Sequence, residues 1–173
     1  PINDPPAEAV GMDGIEKIIK EQSLIKAYKD GKDKEARWNM MMASTEGAMA
    51  FSKGLGAVHS MSHATGANQE LRLHHGTLNA VILPAVLEFN QNHVGNKYSR
   101  IARAMGKNES INLANEIRKL NENIGTPSGL AEMGVTEDMI PELVTHSITD
   151  PSNLTTPRLP SEEEWEKLFL KSM

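Results

Sequence analysis

Gly54-Leu-Gly-Ala-Val-His-Ser-Met-Ser-His-Ala-Thr-Gly66, continued by His74-His75-Gly76, is the stretch whose reading decides the fold. Coiled as a helix, it places His59 and His63 four apart on one face, where two imidazoles can aim at a single point. His75 opens the next apolar periodic run and can bring a third ring nitrogen from a second element. Neutral imidazole is the commonest protein ligand for zinc and also suits iron and nickel. Four of the six histidines of the chain fall in this stretch. One reading is a divalent-metal site between two helices; the other is a pair of histidines on a solvated or packed helix face, which spacing alone also allows.

Outward from this stretch the periodicity is helical throughout. Met12, Ile15, Ile18, Ile19 and Ile25 recur at helical spacing, predicting one helix from Ala7 to a stop near Asp30-Gly31, after the extended, loop-like start Pro1–Pro6. Asp33 caps a second helix through Trp38, Met41, Met42, Thr45, Ala48 and Met49, with Met40–Met42 read as core packing. Its small residues Ala43, Ser44, Gly47, Ala48 and Ala50 invite close approach by another helix. Beyond the histidines, Ala67–Leu73 is a polar connection in which Glu70 reads as an exposed loop acid.

A helix from Gly76 to about Asn90 buries Leu78, Ile82, Ala85, Val86 and Phe89, with Pro84 set to interrupt its ladder. Lys97–Met105 and Ser110–Ile124 follow, then a helix after Thr136 with Leu143, Val144 and Ile148 inward. His93 and His146 have no partner at ligand spacing. Ser161 and Glu164 form a capping-box signal for a last helix docked by Trp165, Leu168 and Phe169. Six to eight helices and no strand predict an all-α fold, a helical bundle.

Composition narrows the function classes. The formal net charge of −5, without a basic stripe, argues against nucleic acid or an anionic membrane surface as partner. With no cysteine, a metal site must use nitrogen and oxygen ligands. Nothing reads as a signal peptide or a spanning apolar run, so the expected location is cytoplasmic.

The wording Gly56-x-x-His59-x-x-x-His63-x-x-Gly66, followed by His75-Gly76 and Leu-Asn-Ala-Val-Ile-Leu-Pro84, resembles the signature of the iron-containing (group III) alcohol dehydrogenases. The resemblance implies that His59 and His75 bind the catalytic metal, iron with zinc or nickel as alternatives, and that His63 lies beside nicotinamide and substrate as a proton relay. Ser62 stands where the family usually has Ala, Ala64 where it often has Pro, and His74 where a Pro commonly precedes the ligand. His74 therefore competes with His75, which is preferred because it directly precedes Gly76. Asp150–Arg158 is similar to the family's closing Asn-Pro-Arg segment, with Thr156 in the Asn position.

On this resemblance, residues 1–173 form a single helical domain, matching the family's C-terminal metal-binding domain without the N-terminal domain that binds NAD or NADP. The family's other two ligands, an Asp and a His four apart, are absent, and Asp4 is no substitute. The implied function is metal-dependent interconversion of a small alcohol and its aldehyde or ketone. The chain by itself is expected to be inactive, and a homo-oligomer could cover apolar surface left by a missing domain. The alternatives are a stand-alone helical module binding a divalent metal, and a structural or interaction protein with no catalytic role.

Overall fold

The computed structural model describes residues 2–173, and among these the fold is all-α, with nine α-helices and no strand. The helices are α1 (Pro5–Ile15), α2 (Ser23–Lys29), α3 (Lys34–Met49), α4 (Ala57–Gly66), α5 (His75–Asn90), α6 (Lys97–Ala104), α7 (Leu113–Asn123), α8 (Ile140–Thr149) and α9 (Glu162–Ser172). They fall into two compact units. Among the described residues, one comprises 2–54 and Gly95–Ile111; the other comprises Leu55–Val94 and Asn112–Met173.

In the first unit, the expected single opening helix is divided. It begins earlier than the periodicity indicates, because Asp4 caps it through Ala7 N–H and the prolines sit in the first turn, where no N–H is needed. A π-helical turn over Glu16–Lys20 then leads to Gln22, whose φ of 59° is left-handed and ends the helix. Asn39 of α3 holds this break by donating to Glu21 at 2.9 Å and to the buried Ser23 hydroxyl at 3.1 Å.

The face that α3 buries also differs from the methionine stripe. Ala36, Ala43 and Glu46 are buried, whereas Met41 is 65 % and Trp38 63 % exposed, and Met40 and Met42 are only half-buried. Of the small residues expected to meet another helix, Ala43 is buried, because α1 packs closely there and a Cβ on Gly14 would lie 3.5 Å from its carbonyl oxygen, whereas Ser44 and Ala48 are exposed. A thioether on that face would hold the backbones apart. Glu8 binds this unit together by accepting from Lys53 (2.8 Å), Lys97 (2.7 Å) and Arg100 (2.7 Å). These three cations hold its carboxyl far below the usual carboxylate range.

The second unit has a core built as its periodicity predicts. Leu78, Ile82, Ala85 and Val86 of α5 pack with Met61 of α4, Leu143 and Val144 of α8, and Trp165, Leu168 and Phe169 of α9. Ile148, read as inward, is 43 % exposed, because α8 turns its last buried contact through Ser147. The capping box of Ser161 and Glu164 is present at the start of α9. Helix α5 runs through Pro84 without interruption. Proline has no N–H to give the carbonyl four residues back, and the Asn121 amide of α7 supplies the donor instead, reaching the Ala80 oxygen at 2.7 Å.

Candidate metal centre

All three expected site histidines belong to the second unit, on α4 and at the start of α5. Gly56 opens α4 with a φ of 77°, a left-handed value that glycine alone takes without strain. Its N–H donates to the Ser152 carbonyl at 2.9 Å, which draws the segment after α8 alongside the start of α4. Helical spacing then stacks His59 above His63, with ring centroids 5.7 Å apart. His75, in the first turn of α5, lies 5.2 Å from His59 and 5.4 Å from His63, the latter as a nearly parallel stack.

His74 is employed elsewhere. Its Nδ1 accepts the Thr77 backbone N–H at 3.3 Å and caps α5, so the two adjacent histidines divide into a cap and a cleft residue. Glu70, His93 and His146 are exposed and stand outside the cluster.

Proton accounting assigns the tautomers of the paired rings. His59 hydrogen-bonds the Leu55 backbone, which as a carbonyl must receive a ring N–H. Ser62, fully buried, donates its one proton to the His59 carbonyl at 3.1 Å, so its oxygen can only accept from His75 Nδ1 at 3.4 Å. The Nε2 atoms of both rings are left as acceptors. Both meet the same donor, the Asn79 amide nitrogen, at 3.4 Å from His59 and 3.1 Å from His75. Two lone pairs therefore converge on one electropositive point.

Electrostatics disfavour protonation of both rings. Burial lowers the His59 pKa below the ordinary imidazole value, and the neighbouring His75 and His63 lower it further. His75 is lowered in the same way, by desolvation first and then by His63 and His74. A ring that resists protonation is a ring ready to coordinate.

The donor set suits a borderline divalent ion but is partial. Among the described residues, no group of three or more His, Asp or Glu side chains is placed to hold a metal ion. Two imidazoles converge, and the buried Asn79 Oδ1 beside them has no hydrogen-bond partner, an acceptor without a donor at the edge of the site. That orphaned oxygen fits a cation better than it fits a dry apolar pocket.

Sequence reasoning missed two residues of this cluster. Asn79 lies four after His75 on the same helix face, a spacing that could have found it. Asp150 lies 87 residues from its partner, and its Oδ2 stands 3.0 Å from His63 Nδ1. No local pattern announces that contact.

Comparison with known proteins identifies the family. The C-terminal profile of the Fe-containing alcohol dehydrogenase family matches residues 2–173. The chain is 39 % identical over 180 residues to a 4-hydroxybutyrate dehydrogenase of Cupriavidus necator, covering 100 % of this chain and 47 % of that protein. It is 36 % identical over 166 residues to an NAD-dependent methanol dehydrogenase of Bacillus methanolicus, covering 91 % and 43 %. The solved structure of a 1,3-propanediol oxidoreductase superposes with a TM-score of 0.91 at 30 % identity, over 98 % of this chain and 46 % of that one. The chain thus spans about half the length of the curated relatives it matches. With its fold, its histidine wording and these likenesses in agreement, the chain belongs to the Fe-containing alcohol dehydrogenase family, of which it carries the C-terminal helical part.

Proposed function

We propose that this chain is the metal-binding helical part of a metal-dependent, NAD(P)-linked alcohol dehydrogenase, acting on a small alcohol and its aldehyde or ketone. The observation that carries the reading is the convergence of His59 and His75 Nε2 on one point, with His63 stacked beside them. His59 and His75 would hold the metal, iron in the family's naming and zinc or nickel by ligand chemistry. A divalent ion there supplies Lewis-acid polarisation of the alcohol oxygen.

The protein's own contributions follow from the tautomers. Leu55 and Ser62 hold the two ligand rings with Nε2 outward, so neither ring has to reorient. His63 accepts the proton that leaves the alcohol, which is the relay its place in the motif suggests. A nicotinamide dinucleotide, which would be held by the portion of the family's length that this chain does not span, would supply the hydride-accepting chemistry. The methanol dehydrogenase relative is named as NAD-dependent, which supports NAD with NADP as the alternative. By itself the chain should turn over no alcohol, since two imidazoles make half a ligand set and no phosphate-cradling glycine loop is present.

The test is a zinc and nickel titration across about pH 5 to 8, the window in which imidazole loses its proton. Binding weaker than at a complete three-ligand protein site is expected, lost in both His59→Ala and His75→Ala. Tight binding that survives both substitutions would show that the residues are wrong.

A further inference from the structure

We infer that Asp150 is a positioning residue, which holds His63 as the Nδ1–H tautomer so that Nε2 is the nitrogen available to a reacting proton. The inference rests on the relay reading of His63 given above and assigns the group that makes the relay competent. Its basis is a hydrogen-bond assignment with one solution. Asp150 Oδ2 lies 3.0 Å from His63 Nδ1, and its side chain is 17 % exposed against 41 % for His63. Burial raises the carboxyl, but the hydrogen bonds from Ser152 and His63 outweigh it and leave Asp150 ionised below its ordinary range. An ionised carboxylate only accepts, so the shared proton sits on Nδ1.

The carboxylate is itself held. Asp150 ends α8 and caps the following 3-10 turn, Pro151–Thr155, with Oδ1 accepting the Ser152 N–H at 2.8 Å. The flanks are tied down by Ser152 O to Gly56 N–H, and by the Asn153 amide, which donates to Ser147 O at 3.0 Å and Ile148 O at 2.6 Å. Asp150 is thus fixed on the backbone that also fixes the start of α4. A ring locked this way presents Nε2 as the nitrogen that can take a proton.

The commitment of Oδ1 makes the test sharp. In Asp150→Asn the oxygen must stay on Ser152 N–H, so the amide nitrogen falls where Oδ2 stood and presents a proton to Nδ1. Two donors cannot face each other, and His63 should switch to the Nε2–H tautomer. Asp150→Ser keeps an oxygen for the cap but is too short to reach the ring, so a mixture of tautomers is expected.

The experiment is a long-range proton–nitrogen correlation spectrum of the imidazoles in the whole chain at about pH 8, where free imidazole is neutral. His63 is assigned by its loss in His63→Gln, and circular dichroism checks that each variant keeps its helix content. The expected result is Nδ1–H in the wild type, Nε2–H in Asp150→Asn and a mixture in Asp150→Ser. A wild type that already carries Nε2–H, or a folded Asp150→Asn that keeps Nδ1–H, overturns the inference. Zinc titration of the same samples reads the metal site separately: absence of binding there strikes the metal reading and leaves the tautomer result in force.

Discussion

Ser62 is fully buried between α4 and the start of α5 and joins them through its hydroxyl. Its hydroxyl donates to the His59 backbone carbonyl and accepts from His75 Nδ1, tying the His75 ring to the backbone of α4 through one buried atom. Ser62→Ala should therefore weaken zinc binding by about 10-fold, the lower end for loss of an outer-shell partner, while leaving the fold intact. Isothermal titration measures it, and an unchanged affinity would reduce Ser62 to packing. At this scale the histidines were legible because helical spacing, a cap and a glycine turn are local signals. Asp150 was not, since its contact with His63 exists only once the turn after α8 lies against the start of α4. His74 and His75 were indistinguishable by spacing, and only the cap bond to Thr77 separates them.

Helix α5 gives a prediction of its own. The Ala80 carbonyl lost its intrahelical donor to Pro84 and regained one from Asn121. Asn121→Leu should cost about 1–1.5 kcal/mol, the loss of one hydrogen bond to a half-buried carbonyl. In a Pro84→Ala background the helix supplies that donor itself, so the same substitution should cost at least about 1 kcal/mol less, a non-additivity that urea melts of the four chains resolve. Additive effects would mean that the Asn121 bond is incidental. Helix existence was readable here, and so was the buried stripe Leu78, Ile82, Ala85 and Val86. The methionine face of α3 was misread because periodicity counts apolar residues without asking how closely a neighbouring backbone must approach. The break at Gln22 has no sequence signal, since Asn39, which holds it, lies on another helix.

Across the whole molecule, the two-segment make-up of the first unit leaves no mark in composition. Glu8 shows why: its partners Lys97 and Arg100 lie 89 and 92 residues away. Its carboxyl titrates lower in the folded state than the ordinary value of about 4.3 in the unfolded chain, so the unfolded chain binds more protons under acid. The stabilisation is complete above that value and drains away as pH falls below it. Glu8→Gln should lower stability at neutral pH by about 1–3 kcal/mol, as for hydrogen bonds to charged groups, and flatten the loss between about pH 4.5 and 2. Thermal melts at stepped pH read both, and parallel acid limbs would exclude the assignment.

The same carboxylate carries a kinetic consequence. A bond between residue 8 and residues 97 and 100 closes a long loop, and closure of that span has little reward until the intervening segments are ordered. Such a contact is expected to form after the rate-limiting barrier, so its loss should leave the refolding rate near that of the wild type and accelerate unfolding. Glu8 would then act as a latch, setting how long the first unit stays closed and not how fast it forms.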